Sequence, residues 1–235
     1  MVNSEILLFA IGGASIAIGL AGAGASLGQR MAASASSLLM SEKPERFGLT
    51  LILTVLVETS AIYGLLIAIL ILASMGAAYD VNQGVAALAA GFSVGISGFF
   101  TGIGEGIAAS ASIGGVAEKE GAFGKFLVLT VLPETGAIYG LLNAVLILRA
   151  AGFLGEPLPG SEQMIGTASI YATLVIALTS VCSYLQGRVG ASAISATTKK
   201  EETFGRDLIF VVLLESVLIY GLLVSILILT YSNVI

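Results

Sequence analysis

Long apolar stretches separated by short polar connections run through the whole chain. Six such stretches can be drawn, at about 5–40, 47–79, 82–117, 122–151, 161–197 and 204–233. A helix needs roughly 20 apolar residues to cross a hydrocarbon core about 30 Å thick, and most of these stretches are longer. The pattern therefore predicts an all-α membrane protein with six transmembrane helices, several of which tilt or project beyond the bilayer.

The second stretch of each consecutive pair repeats one sequence. The three copies read FGLTLILTVLVETSAIYGLL (47–66), FGKFLVLTVLPETGAIYGLL (123–142) and FGRDLIFVVLLESVLIYGLL (204–223). Each copy follows a different apolar partner stretch, so the repeating unit is a helical hairpin. The chain is therefore predicted to consist of three tandem hairpins, over 1–79, 80–152 and 153–235.

Each copy places one glutamate in the middle of its apolar stretch. These residues are Glu58, Glu134 and Glu215. An ionisable group at that depth costs roughly 3 kcal/mol or more, so its first interpretation is functional. Three such glutamates at matched positions indicate a device that handles one ion per hairpin.

Composition excludes several other functions. The chain is 57% hydrophobic and 11% charged, which fits a membrane protein. It contains no histidine, which excludes imidazole catalysis, and Cys182 alone cannot form an intrachain disulfide. The glycine clusters at 22–28 and 102–106 resemble phosphate-binding loops, but they lie inside long apolar stretches rather than after a strand. We therefore expect no nucleotide cofactor and no nucleic acid partner.

Basic residues are concentrated in the connections within the hairpins. The segments SEKPER (41–46), AEKEGAFGK (117–125) and TTKKEETFGR (197–206) hold Lys43, Arg46, Lys119, Lys125, Lys199, Lys200 and Arg206. Cytoplasmic loops carry an excess of Lys and Arg, so these loops should be cytoplasmic and both termini outside. They are either merely solvated or a docking surface for soluble partners. The loop containing Pro157 and Pro159 should be an irregular outer one.

The two helices of a hairpin differ in side-chain size. First helices are rich in glycine and other small residues, whereas second helices are rich in Leu, Ile and Val. Small residues let helix backbones approach closely in lipid. This difference predicts a tight inner set of helices surrounded by a larger outer set.

Further oxygen-bearing side chains accompany each glutamate. An amide or second carboxyl lies 29 residues earlier, a hydroxyl follows directly, and a phenol comes five residues later. In chain order these are Gln29, Glu105 and Gln186; Thr59, Thr135 and Ser216; and Tyr63, Tyr139 and Tyr220. Hard cations prefer oxygen ligands, so each set forms a candidate cation cage. The alternative, polar bonds that only hold helices together at about 0.6 kcal/mol each, does not account for three matched carboxylates.

The VxPETxAIYGLL-like segments, the glycine-rich partner helices and the tandem hairpins resemble the proteolipid of rotary V-type and archaeal A-type ATPases, known as their c or K subunit. The resemblance covers nearly the whole chain, in a triplicated form. It implies a homo-oligomeric rotor ring in the lipid bilayer, with no catalysis of its own. It also implies a stator membrane subunit that supplies an arginine, and central-stalk subunits at the cytoplasmic loops. The family's proline before the carboxylate is kept as Pro133 but replaced by Val57 and Leu214.

The resemblance also indicates the transported ion. Sodium-binding rings of this superfamily resemble the pattern of Gln29, Glu58, Thr59 and Tyr63, and the third hairpin has the same set. The middle hairpin has Glu105 instead of glutamine, and a protonated carboxyl there could take the place of the amide. Na⁺ is therefore the expected ion at these residues, and H⁺ is the alternative.

Two other functional classes remain open from the sequence. A stand-alone cation or proton transporter or channel could use the same carboxylates, although the repeats are parallel and show no conspicuous break within a helix. A purely structural membrane scaffold is disfavoured by the cost of the carboxylates. Arg30 and Arg188 lie at membrane depth, either near lipid headgroups or as structural partners of Glu105.

Overall fold

All regular structure in the described residues is helical. The computed structural model describes residues 4–74, 80–160 and 163–235, with the backbone alone for Ser4 and Glu5. Within these ranges six helical segments are long and apolar enough to cross a membrane. The predicted fold class, an all-α membrane protein with six spans, is therefore confirmed. The predicted stretches 47–79 and 161–197 reach into 75–79 and 161–162, which lie outside the described residues.

The first helix of each hairpin is long, and in the third hairpin this helix is divided into two parts. These helices are α1 (Ser4–Glu42), α4 (Val81–Glu118), and α7 (Ile165–Thr179) with α8 (Val181–Lys199). The Asp80 side chain caps the start of α4 by accepting a hydrogen bond from the Gln83 backbone N–H. The Gln83 side-chain oxygen in turn accepts a hydrogen bond from the Asp80 backbone N–H. This reciprocal cap satisfies two N–H groups at the end of the helix that is far from the connection within the hairpin.

The second helix of each hairpin is interrupted at its carboxylate. The six parts are α2 (Phe47–Leu56) and α3 (Thr59–Ala73); α5 (Phe123–Val131) and α6 (Glu134–Ala150); and α9 (Phe204–Leu213) and α10 (Glu215–Tyr231). The expectation that the helices have no break was therefore wrong. Each break lies beside the residue on which the functional hypothesis depends.

The hydroxyl after each carboxylate accounts for part of this local geometry. Thr59, Thr135 and Ser216 donate to the backbone carbonyl three residues earlier, at 2.9, 3.1 and 2.8 Å. A side chain that uses a carbonyl in this way competes with the helical ladder. Pro133 removes a further N–H in the second hairpin. Since the other two breaks contain no proline, proline is not required for them.

Glycines bring the first helices into direct backbone contact. A side-chain carbon on Gly28 of α1 would collide with the carbonyl of Gly102 in α4, and one on Gly106 would collide with Gly28. On the other side of α4, Gly104 lies against the backbone of Ser183 and Gly187 of α8. The glycine clusters are therefore packing surfaces.

The three hairpins lie side by side, with the second in the middle. Helix α4 packs against α1 on one side and against α7 and α8 on the other, while α6 packs against α3 and α10. Buried polar groups join the hairpins in the half of the bundle that is far from the connections within the hairpins. Asn143 donates to Ser93 at 2.9 Å and accepts from Ser225 at 2.5 Å. Hairpins 1 and 3 form the two edges of the arrangement.

The connections differ on the two ends of the bundle. Short 3-10 turns at Pro44–Arg46, Glu120–Ala122 and Glu201–Thr203 join the helices within each hairpin. The connection over 151–160 contains no regular helix, and Gly152 and Gly155 adopt φ of 86° and 134°. This irregular connection agrees with its proline- and glycine-rich sequence.

Candidate ion-binding site

The three carboxylates lie at equivalent breaks but differ in exposure. Glu134 and Glu215 are half-buried, whereas Glu58 is exposed. Their places in the middle of apolar stretches predict that all three are buried. Glu58 departs from that expectation because it belongs to hairpin 1, at the edge of the arrangement, where no hairpin of the same chain precedes it.

Gln29 lies beside the carboxylate of its own hairpin. Its side-chain nitrogen donates to Oε2 of Glu58 at 3.4 Å. The amide thus joins the two helices of hairpin 1 at the depth of the carboxylate. An amide in this position leaves its own oxygen available to a cation held by the carboxylate.

The tyrosines contact the carboxylate of the following hairpin. Tyr63 donates to Oε1 of Glu134 at 2.6 Å, and Tyr139 donates to Oε1 of Glu215 at 3.3 Å. The sequence pattern had grouped each tyrosine with the glutamate of its own hairpin, and that grouping is wrong for both. By the same register, Tyr220 should donate a hydrogen bond to the carboxylate of a hairpin that follows hairpin 3. No such hairpin is present in the described residues, and Tyr220 is 63% exposed.

Glu105 is enclosed and has no hydrogen-bond partner among the described residues. Its exposure is 0%, and both of its carboxyl oxygens are unpaired. A fully buried carboxylate without a hydrogen-bond partner is unfavourable, so Glu105 requires a proton or a cation. The middle site is therefore chemically different from the other two.

Gln186 is fully buried and presents a free oxygen. Its nitrogen donates to the Val211 carbonyl at 3.2 Å, while its Oε1 has no partner among the described residues. The amide is therefore fixed by a backbone carbonyl of α9, one turn before Glu215, and not by Glu215 itself. A buried amide oxygen without a partner is costly and fits a cation ligand.

The hydroxyls after the carboxylates can also act as ligands. Because Thr59, Thr135 and Ser216 use their hydrogens on backbone carbonyls, their oxygens keep lone pairs for a cation. Each break therefore supplies carboxylate and hydroxyl oxygens. These are the donors that hard cations prefer.

One candidate residue was missed by the sequence reasoning. Ser183 is buried, its hydroxyl oxygen has no partner in the described part of the chain, and it lies against Gly136, two residues after Glu134. The positions that correspond to Gly136 in the other two copies of the motif are Ser60 and Val217. The change to glycine in the middle copy was the signal, because it makes room for a side chain from the neighbouring hairpin.

The two membrane-depth arginines do not complete the site. Arg30 and Arg188 are both exposed, and neither takes part in an ion pair within the described ranges. The possibility that they are structural partners of Glu105 is therefore not supported. Glu105 keeps both oxygens unpaired despite their presence.

Comparisons with known proteins bear on this site. The family model for the C subunit of ATP synthase matches the chain three times, over residues 12–71, 88–147 and 164–228. The chain is 38% identical to the K subunit of the A-type ATP synthase of Methanocaldococcus jannaschii over 216 residues, covering 92% of this chain and 93% of the relative. It is 34% identical to the K subunit of the V-type sodium ATPase of Enterococcus hirae, with coverage of 61% and 93%. It is 30% identical to the 16 kDa proteolipid of the V-type proton ATPase of Homo sapiens, with coverage of 59% and 90%.

Proposed function

The chain belongs to the family of ATP synthase C subunits, and from that premise we propose that it is the ion-carrying rotor subunit of a V-type or A-type ATPase or ATP synthase, with Na⁺ as its ion. One observation carries the proposal. The Tyr63 phenol bonds Glu134 across a hairpin boundary, and the Tyr139 phenol repeats this contact at Glu215. Equivalent carboxylate sites therefore recur between successive hairpins, as a rotor requires.

Electrostatics supplies the mechanism. A bare carboxylate is expensive in lipid, whereas a carboxylate neutralised by Na⁺ or by a proton is much less so. A loaded site can therefore turn through the lipid, and an unloaded one is confined to the interface with a stator subunit. We propose that an arginine of that stator subunit meets the free carboxylate. The rotor itself catalyses no reaction and couples ion passage to a soluble ATPase.

The register of the contacts supports a closed ring of identical chains. Tyr63 serves hairpin 2 and Tyr139 serves hairpin 3. Tyr220 in hairpin 3 and Glu58 in hairpin 1 are both exposed, at opposite edges of the three-hairpin arrangement. We propose that Tyr220 of one copy donates to Glu58 of the next copy. The Glu58 site is incomplete without that neighbour, and every carboxylate in the ring then has a phenol donor from the preceding hairpin.

The donor set favours Na⁺ over H⁺. A protonated carboxyl needs one acceptor, whereas a cation gains from several oxygens, and the chain offers a free amide oxygen at Gln186 and hydroxyl oxygens at Thr59 and Ser216. The relatives include proteins named for sodium and for proton ATPases, so their names do not decide the question. H⁺ is the second candidate, favoured by the unpaired Glu105 in the middle site.

The charged ends of the hairpins suggest the orientation. The chain is an integral membrane protein, and we propose that its intra-hairpin turns are cytoplasmic and its termini outside. Arg46 pairs with Glu120, and Lys125 pairs with Glu201 at 2.7 Å, so neighbouring turns are joined into one surface. Such a continuous rim is suited to docking the central stalk. The division into hairpins 1–79, 80–152 and 153–235 is part of the same proposal.

Competition between Na⁺ and a carbodiimide tests the ion. Dicyclohexylcarbodiimide reacts with protonated carboxyls, whereas bound Na⁺ keeps the carboxylate deprotonated. Added Na⁺ should therefore protect Glu58, Glu134 and Glu215 from labelling at near-neutral pH, and equal K⁺ should not. Labelling of each site would be read by mass spectrometry of its peptide. Labelling that responds to pH and ignores millimolar Na⁺ would make the rotor proton-driven.

A further inference from the structure

Both boundaries between hairpins within the chain are packed in one register at the depth of the ion sites. A side-chain carbon on Gly28 of α1 would collide with the Gly102 carbonyl of α4. One on Gly104 of α4 would likewise collide with the Ser183 carbonyl of α8. These contacts are equivalent, because Gly28 and Gly104 each lie 30 residues before the carboxylate of their hairpin. Their partners each lie 32 residues before the carboxylate of the following hairpin.

A second contact in this register joins glycine to glycine. A side-chain carbon on Gly106 would collide with the backbone of Gly28. At the next boundary, one on Gly187 would collide with the backbone of Gly104. All four glycines are buried. The first helices therefore touch backbone to backbone at this depth, as small residues allow.

The same register, continued from hairpin 3 to hairpin 1 of another copy, replaces these glycines by large residues. In hairpin 3 the position of Gly28 and Gly104 is taken by Leu185. In hairpin 1 the position of Gly106 is taken by Arg30. A contact that joins two glycines within the chain therefore joins leucine to arginine between copies.

Exposure identifies these residues as parts of two free edges. Leu185 is 41% exposed, and Arg30 is exposed as well. Ser26, which takes the position of the buried Gly102, is also exposed. The residues that lack a neighbour in one copy are thus the ones that the register assigns to the boundary between copies.

The contact between a second helix and the following first helix shows the same change. A side-chain carbon on Gly136 of α6 would collide with the Ser183 hydroxyl, so this pair has room for one side chain only. The equivalent pair between copies is Val217 and Ser26, and both members carry side chains. Val217 is 42% exposed.

A further level, toward the far end of the bundle from the connections within the hairpins, agrees with this. Gly13 of α1 lies against the backbone of Ala87 in α4. The equivalent pair between copies is Ile170 and Ile11, which are 50% and 43% exposed. The edges of the chain are therefore bulkier than its internal boundaries at more than one depth.

We propose that the edge of hairpin 3 binds the edge of hairpin 1 of a second copy in this register, and that this seam is wider between the first helices than either boundary within the chain. The inference rests on the proposed ring. Leu185 packs against the aliphatic stem of Arg30, and the guanidinium reaches out of the seam to water. Distances between packed helices range over about 8–10 Å with the side chains at the contact, so the seam should be wider by about 2 Å.

The wider seam is compatible with the contact between copies at the carboxylate. Tyr220 and Glu58 belong to second helices, whereas Leu185 and Arg30 belong to first helices. The first helices can therefore separate by a small rotation about the contact between the second helices. The ring then consists of tightly packed blocks of three hairpins, and Glu58 is the one carboxylate of each chain whose phenol donor comes across the looser boundary.

Electron microscopy of purified wild-type rings provides the test. The distance between the axes of neighbouring first helices would be measured at the level of Gln29, Glu105 and Gln186. We expect two short distances within each chain and one that is about 2 Å longer between chains. Even spacing around the ring would overturn this inference and leave the rotor intact, whereas a chain that forms no ring refutes both.

Paired variants test which residues widen the seam. Arg30→Gly together with Leu185→Gly restores the glycine contact and should narrow the seam to the spacing of the internal boundaries. Leu27→Gly together with Arg188→Gly removes the same two kinds of side chain from the same two helices and should leave the seam wide. A seam that stays wide in the first variant, or narrows equally in both, would overturn the role given to Leu185 and Arg30.

Discussion

Tyr63 of hairpin 1 donates a 2.6 Å hydrogen bond to Glu134 of hairpin 2. The carboxylate and its phenol partner thus belong to different hairpins, although they are carried by copies of one motif. The contact recurs between Tyr139 and Glu215. A substitution in one hairpin should therefore be felt at the carboxylate of the next.

Removing the Tyr63 hydroxyl tests this relationship. Tyr63→Phe should weaken Na⁺ protection of Glu134 by about tenfold or more, because hydrogen bonds to charged groups are worth about 1.5–3 kcal/mol. Protection of Glu58 and Glu215 should change little. Peptide-resolved carbodiimide labelling across a Na⁺ titration measures all three sites in one sample.

Tyr220→Phe is the matched control for the ring closure. Its effect should fall on Glu58, which lies on the neighbouring copy, and not on Glu215 in its own hairpin. Loss of protection at Glu215 alone would refute the proposed contact between copies. An effect of Tyr63→Phe on Glu58 in place of Glu134 would equally contradict the crossed arrangement.

Because the first helices pack backbone against backbone, the effect of a glycine-to-alanine substitution on stability should depend strongly on its position. A side-chain carbon on Gly106 would meet the backbone of Gly28, whereas nothing lies within 4 Å of one on Gly114 of the same helix. Gly106→Ala should destabilise the assembly by about 1–3 kcal/mol, the usual cost of overpacking. Gly114→Ala should be neutral or slightly stabilising, since alanine favours helix. Thermal loss of the ring band on native gels compares them, and equal behaviour would contradict this packing.

Ring composition supplies a further test. Since each chain contributes three hairpins, the number of hairpins in the ring should be a multiple of three. Image classification of purified rings by electron microscopy, together with native mass, gives both the hairpin count and the chain count. A count that three does not divide, in a ring built from this chain alone, would refute the fused-rotor proposal.

The sequence predicted the parts of the molecule that depend on local pattern. Hydropathy identified six spans because the bilayer fixes their length. The repeated motif aligned Glu58, Glu134 and Glu215 because identical spacing gives identical depth in equivalent helices. Family membership followed from the same residues and is confirmed by the comparisons.

The neighbour relationships could not be predicted in this way. Helical periodicity shows which side chains share a face, but it does not show which hairpin lies against that face. Tyr63 was therefore grouped with Glu58, although α3 packs beside α6. The breaks were missed for a related reason. From the sequence, the Thr59 hydroxyl was interpreted as an ion ligand. Its hydrogen bond to the Leu56 carbonyl, which accompanies the break, is visible only in the folded chain.

Neutralising each of the two glutamates of the middle site should have different effects on ion pumping. Glu134 carries the ion in our proposal, and every site must pass the stator, so Glu134→Gln should reduce coupled ion pumping to background. Glu105→Gln gives the middle site the amide found in the other hairpins, and pumping should persist. It should also raise the thermal stability of the ring, because it removes a fully buried ionisable group that has no hydrogen-bond partner among the described residues. Na⁺ uptake driven by ATP in vesicles containing the whole complex measures pumping, and Glu202→Gln in an exposed turn serves as the control. Loss of pumping in both middle-site variants would instead make Glu105 an obligatory ion carrier.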